Sequence, residues 1–240
     1  MIGGRETTPG YRAWVLFILV VVYTFNFIDR QIVGILAVPI KADLNLSDTQ
    51  LSLMGGLAFA LFYTFLGVPI AVVADRKSRV WIMSIALGIW SAMTALCGVA
   101  QNFTQLFLAR LGVGVGEAGG VAPAYSLIAD YFPSEKRGRA LSIYSFGIPI
   151  GSALGILLGG VLTSYLDWRS AFIIVGLAGL LLAPVLRLTV RDPDRGGYDA
   201  GPPLTPAPIV EVARRISRKK SFWSLSLGAA ASSMMGYGVI

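Results

Sequence analysis

Leu106–Pro123 reads LFLARLGVGVGEAGGVAP, an apolar helical stretch that carries two charges, Arg110 and Glu117, and five glycines. An ionised side chain at membrane depth costs roughly 2.5–3.5 kcal/mol on insertion scales, so such groups line cavities or pair with one another. Seven residues apart on a helix, Arg110 and Glu117 share a face and lie about 10 Å apart along the axis. Gly112, Gly116 and Gly120 recur every fourth residue, a spacing that lets a second helix backbone approach closely. A closely packed helix presenting two charges inside a membrane reads as part of a permeation site. Gly114–Gly119 also matches G-x-G-x-x-G, but a dinucleotide site needs a preceding strand and a soluble βαβ unit, and neither surrounds it. Helix packing accounts for these glycines.

The composition agrees with a membrane setting. Of 240 residues, 55% are hydrophobic and 14% charged, with 28 glycines, too apolar a mix for an ordinary soluble domain. No histidine is present, which excludes histidine metal sites, catalytic triads and imidazole proton shuttles. Proton chemistry near neutral pH then falls to carboxylates. The single Cys97 excludes an internal disulfide and reads as a small core residue. Neither a metal nor a cofactor is expected, and no nucleophile, base and orienting group occur together as in an enzyme.

Six apolar segments follow in order, at about Arg12–Pro39, Gln50–Ala74, Val80–Ala100, Leu106–Ile128, Ala140–Leu166 and Ser170–Thr189. Ser47 is placed to cap the second. The expected domains are a six-helix bundle over residues 1–190, a cytoplasmic linker over 191–221 and a truncated seventh membrane helix over 222–240. Within the linker Ile209, Val212, Ala213 and Ile216 share one helical face beside a basic run. That pattern fits either a helix lying on an anionic membrane surface or a solvated basic linker. With the amino terminus cytoplasmic, only Lys41 and Arg169 of the twenty Lys and Arg residues fall on the far side, while Arg30 and Arg110 lie inside spans. This positive-inside asymmetry explains the net charge of +7 without nucleic acid and predicts a multi-pass protein of the cell membrane, the inner membrane if bacterial.

Asn26, Asp29 and Arg30 occupy the outer half of the first helix, at a depth close to that of Arg110. Asp29 or Arg30 is therefore expected to face Arg110, with Arg30 and Arg110 supplying anion-binding or pairing charge. Glu117 lies about 10 Å deeper, out of easy reach of those cations, and is expected to be the more readily protonated group. Glu117 and Asp29 are the proton-carrying candidates, and a static ion-pair network is the alternative. On the fifth helix Gly147, Gly151, Gly155 and Gly159 form a small-residue ridge, and Pro149 frees a carbonyl that softens the helix.

Ala71–Arg79 (AVVADRKSR) resembles the G-x-x-x-D-R-x-G-R loop of the major facilitator superfamily, with Ala71 and Ser78 where glycine is usual. Arg110 with its glycine run resembles that family's helix-four motif, and Gly147-Ile148-Pro149-Ile150-Gly151 its helix-five gating motif. Asn26–Arg30 (NFIDR), Gly114–Ala118 (GVGEA), Leu127–Asp130 (LIAD), Ala140–Gly151 (ALSIYSFGIPIG) and Arg191-Asp192-Pro193 are similar to the Spinster-like branch. The resemblance implies an all-α membrane protein, this chain being the six-helix amino-terminal bundle plus the start of a seventh helix, with a missing carboxy-terminal bundle. It implies a secondary transporter working by alternating access, coupled to protons, for a small organic or amphipathic, lysolipid-like substrate. Asp75, Arg76 and Arg79 would form the cytoplasmic gate, and Gly147, Pro149 and Gly151 the helix-five gating element. An organic-anion or drug porter of the same superfamily is the nearest rival, and a non-transporting membrane fragment another.

Overall fold

The structure is a computed structural model that describes residues 7–196, 198 and 209–238, without the side chains of 55, 57–61 and 235–238. The start of the amino-terminal lead with Arg5, and residues 197 and 199–208 of the expected linker, lie outside the described residues. Two units are present, residues 1–203 and 204–240.

The first unit is an all-α bundle. Helix α1 runs from Pro9 to Leu44, longer at both ends than the sequence suggested. Thr8 caps its start by accepting from the Tyr11 N–H at 3.3 Å, and Asn45, in the left-handed region at φ 50°, ends it. Pro39 does not stop the helix, because a lipid-embedded segment continues past a proline when neighbouring helices hold its backbone. The second span is composite. Helix α2 (Asp48–Ser52), a π-helical stretch (Leu53–Leu57) and α3 (Ala58–Ala74) follow one another. Ser47 caps α2 in a reciprocal box with Gln50, as its spacing predicted. Helix α4 (Arg79–Cys97) forms the third span.

The opening stretch is not one helix. It divides into α5 (Phe103–Glu117) and α6 (Val121–Tyr131), with i→i+3 bonds at Gly119 and Gly120 between them. Pro123 has no N–H to offer the Gly119 carbonyl, so the ladder tightens there and restarts. The fifth span likewise divides, into α7 (Ser134–Ser145) and α8 (Gly147–Tyr165). Pro149 has no N–H to offer the Ser145 carbonyl, and the break falls at Phe146. The charged stretch 134–139, which lies between the fourth and fifth apolar segments of the sequence, is the first part of α7. Arg137 donates to the Ala129 and Phe132 carbonyls and fixes that entry. Helix α9 (Trp168–Thr189) closes the bundle, its start capped by Asp167, which accepts from the Ser170 N–H at 2.7 Å. Hydrogen bonding from the Ser170 side chain, with this N–H bond second, holds the Asp167 carboxyl below its ordinary range.

Four helical stretches among the described residues are long and apolar enough to cross a membrane: Pro9–Leu44, Arg79–Cys97, Ser134–Tyr165 and Trp168–Thr189. The other two spans carry the interruptions just described. Glycines set the helix contacts. A Cβ on Gly147 would meet Tyr23 Cβ at 2.9 Å, on Gly151 Phe27 Cβ at 2.6 Å and on Gly155 Gln31 Cβ at 2.8 Å, so the α8 ridge lies directly on α1. Gly112 and Gly116 give α5 the same intimacy with Met93 and Trp90 of α4. Gly176 and Gly179 of α9 pack on Ser91 and Ala95 of α4, a seam that the sequence reading missed.

Two apolar clusters fill the bundle. One gathers Leu19, Leu87, Val113 and Leu127, the other Ile32, Leu36, Leu106 and Phe172. Outward faces leave Phe65, Leu157, Leu181 and Leu188 exposed, a costly arrangement in water and a neutral one against lipid. At one end Asp43 accepts from Arg169 at 2.5 Å and from the Trp168 indole at 3.3 Å. At the other, the Tyr11 hydroxyl donates to Thr189 O at 3.0 Å and accepts from Arg191 N at 2.9 Å.

The second unit holds α10 (Ile209–Ser217) and α11 (Lys220–Gly238). The segment around Ile209–Ile216, left open between a helix and a solvated linker, is helical here, and a helix also covers 220–238.

Candidate functional site

The intramembrane charges predicted from sequence come together as two crossed ion pairs. Asp29, 2% exposed on α1, lies 3.7 Å from Arg110 Nη1 of α5. Its other oxygen accepts from the Thr94 hydroxyl of α4 at 2.6 Å. The cleft beside it, lined by Phe25, Trp90, Ser91 and Thr94, leaves no volume for a water molecule. Asp29 is thus held by protein groups on both sides.

The second pair corrects the sequence reading. Glu117 is completely buried, yet its Oε2 accepts from Arg30 Nε at 2.8 Å and lies 2.8 Å from Arg30 Nη2 as an ion pair. Depth along the helix axes had set these groups apart. The long arginine stem closes that gap, and two rings aim the guanidinium, Phe27 at 5.2 Å and Tyr63 at 5.0 Å. Arg30 is the more accessible member, with its side chain 21% exposed. Glu117 is also the last residue of α5, so the Pro123 break sits immediately beside it.

Asn26 is buried at 3% exposure, and its Oδ1 makes no hydrogen bond among the described residues. The Ser91 hydroxyl is in the same condition. Polar atoms left so in an apolar bundle cost free energy and mark a place where a ligand or a second conformation would supply a partner. Among the described residues no cluster of His, Cys, Asp or Glu is placed to hold a metal ion.

The loop between α3 and α4 gives a second charge cluster. Arg79, 1% exposed, donates from Nε to Asp192 at 2.9 Å, from Nη1 to Ser126 Oγ at 3.0 Å and from Nη2 to the Pro193 carbonyl at 2.7 Å. It also pairs with Asp130. Arg195 adds bonds to the Ala74 and Lys77 carbonyls, and Gly196 N–H donates to Asp130. Residues 191–196, read from sequence as the start of a flexible linker, are therefore tied down to this loop and to the end of α6. Asp75 and Arg76, assigned to the same gate, are exposed and stand apart from this network. Thr94, Tyr63, Asp130 and Asp192 are the site residues that sequence reasoning did not single out. A threonine facing the core of an apolar helix was the available signal for the first. The two aspartates appeared only within strings that resemble a family.

The family model described as Major Facilitator Superfamily matches residues 19–240. The chain belongs to the major facilitator superfamily. Within that superfamily it is Spinster-like. It is 36% identical over 232 residues to an MFS-type efflux pump of Mycolicibacterium smegmatis, covering 95% of this chain and 53% of that protein. It is 32% identical over 230 residues to protein spinster homolog 1 of Homo sapiens, covering 93% of this chain and 43% of that protein. Among solved structures it resembles a bacterial homolog of the human lysosomal transporter Spinster in an inward-facing, unoccupied conformation. That match has a TM-score of 0.81 and 41% identity, and covers 98% of this chain and 55% of the other. The inward-facing, occupied form matches with the same TM-score and 40% identity. The chain spans about half the length of the relatives it matches. It matches the helical amino-terminal half of a major facilitator protein and carries several membrane-spanning helices.

Proposed function

We propose that this bundle forms half of a proton-coupled secondary transporter that moves a small amphipathic, lysolipid-like substrate by alternating access. Residues 1–190 form the amino-terminal bundle, 191–221 the cytoplasmic linker and 222–240 a seventh membrane helix. A carboxy-terminal bundle completes the cavity, and the amino terminus faces the cytoplasm of a cell whose inner membrane holds the protein.

One observation carries the reading: two carboxylates and two guanidiniums, from α1 and α5, cross-paired inside a membrane bundle. Glu117 and Asp29 are the proton carriers. When Glu117 takes a proton, its bond to Arg30 weakens, and Arg30, the accessible member, becomes available to an anionic group on the substrate. Arg110 and Asn26 complete the polar wall. Arg79, with Asp75 and Arg76, acts at the cytoplasmic gate, while Gly147, Pro149 and Gly151 let α8 move on α1. The relative named as an efflux pump supports a second reading, a drug or organic-anion porter using the same charges.

The test is uptake into proteoliposomes by the natural gene product that contains this chain, with and without an imposed pH gradient. Uptake driven by the gradient, and loss of its pH dependence in Glu117→Gln, are expected. Coupling that survives in that variant refutes the assignment of Glu117. A panel of lysophospholipids beside lipophilic drugs separates the two substrate readings.

A further inference from the structure

Helix α10 stands outside the transport reading and has a chemistry of its own. Ile209, Val212, Ala213 and Ile216 occupy one sector of about 100° on its wheel, while Arg214 and Arg215 lie on the opposite side. Among the described residues the apolar face is open over much of its length: Ile209 is 44% and Val212 36% exposed, while Ile216 is half-buried. Arg218, Lys219 and Lys220 follow at its end, so five cations stand against one anion, Glu211, over twelve residues. A face so narrow, backed by cations, is poorly served by water and well served by the boundary between acyl chains and anionic headgroups.

A second observation fixes the depth. The Trp223 indole N–H donates to the Ser217 carbonyl at 2.8 Å, closing the carboxy-terminal end of α10 from the first turn of α11. Lys219 N–H bonds to Ile216 O at 2.9 Å and Ser217 Oγ to Arg214 O at 3.1 Å, making a compact corner between the helices. Tryptophan favours the headgroup level of a bilayer. With α11 in the membrane, as proposed above, this contact holds the end of α10 at that level.

We infer that α10 is a docking helix for anionic glycerophospholipid headgroups, its apolar face in the acyl boundary and Arg214, Arg215, Arg218 and Lys219 among the phosphates. Each basic residue near an anionic surface contributes about fivefold to the bound population, so neutralising three lowers it on the order of a hundredfold. The inference rests on the placement of α11 in the bilayer but not on transport.

The experiment uses the full protein in nanodiscs of phosphatidylcholine, alone or with phosphatidylglycerol. A nitroxide is attached at Ala213→Cys, or at Leu225→Cys on α11, and collision with oxygen is compared with collision with a water-soluble nickel chelate. The native Cys97 is buried and does not compete for label. Position 213 should be oxygen-accessible in phosphatidylglycerol discs and water-accessible in three conditions: pure phosphatidylcholine, high salt, and the variant Arg214→Gln/Arg215→Gln/Lys219→Gln. Val212→Gln, which keeps every charge, should also release it. A water-accessible 213 in phosphatidylglycerol discs with 225 still in lipid overturns the inference and leaves the domain reading standing. Water at both positions overturns both. A label at 213 that stays shielded in every lipid and in the charge-neutral variant assigns the face to a protein surface and overturns the inference.

Discussion

Replacing Glu117 and Arg30 with glutamine, singly and together, measures the pair that the fold has buried. Glu117 is wholly inaccessible, accepts the Arg30 Nε–H at 2.8 Å and lies 2.8 Å from Nη2. Removing one member of a buried pair costs about 3–5 kcal/mol, because the partner loses its counter-charge and does not regain water. Arg30 keeps 21% exposure and the faces of Phe27 and Tyr63, so Glu117→Gln should fall near the lower end, about 3 kcal/mol. Arg30→Gln strands a carboxylate with no exposure and should fall higher, about 4 kcal/mol. The double variant places two neutral amides together and should be less destabilised than the sum, by about 2–3 kcal/mol of coupling. Reversible unfolding in mixed dodecylmaltoside and dodecylsulfate micelles, followed by the fluorescence of the buried Trp90, gives the four free energies. Additivity to within about 0.5 kcal/mol would show that the two groups do not interact and would refute the pairing on which the proton-carrier assignment stands.

Two further outcomes follow from packing and from the loop cluster. Gly151→Val drives a side chain into the Thr24 carbonyl and Phe27 and should cost about 1–3 kcal/mol or more by overpacking, whereas Gly160→Ala, where a Cβ meets nothing within 4 Å, should be neutral or stabilising by about 0.5–1 kcal/mol. The same micelle unfolding compares them. Arg79→Lys keeps a charge beside Asp130 but cannot reach Asp192, Ser126 and Pro193 at once. Amide exchange at residues 191–196 should rise in that variant by at least an order of magnitude, while exchange within α4 beyond its first turn stays unchanged.

Periodic features of this bundle were legible in the sequence because they are written at the spacing of one helix. The every-fourth glycines of α5 and α8 mark contacts with Trp90 and Met93, and with Tyr23, Phe27 and Gln31, and a strip of missing Cβ atoms has no other use in an apolar helix. Matching depth along two helices put Asp29 or Arg30 opposite Arg110 without choosing between them, and it is Asp29 that lies there. What failed was geometry beyond the helix axis. An axial estimate ignores the length and aim of a side chain, and so it separated Arg30 from Glu117. The interruptions beside Pro123 and Pro149 were encoded as missing N–H groups, but a run of apolar residues hides them. The Arg79 cluster was out of reach for a different reason: its partners lie 51 and 113 residues away, and no local pattern announces a pairing across that separation.

The cation–π contacts of Arg30 and the Thr94 bond of Asp29 bear on the order in which this bundle assembles. Phe27, Tyr63 and Thr94 all belong to the first three spans, whereas Arg110 and Glu117 arrive with the fourth, 87 residues after Arg30 in the case of Glu117. A ribosome delivers these spans in sequence, and a nascent three-span intermediate would hold Asp29 and Arg30 in lipid before their counter-ions exist. In such an intermediate the hydroxyl and the two rings would be the partners within reach of these charges. The fourth span then enters a membrane that already displays one anion and one cation, and its own cation and anion have a single complementary alignment to find. Charges that read as a cost in the finished bundle thereby fix the register in which its two halves join.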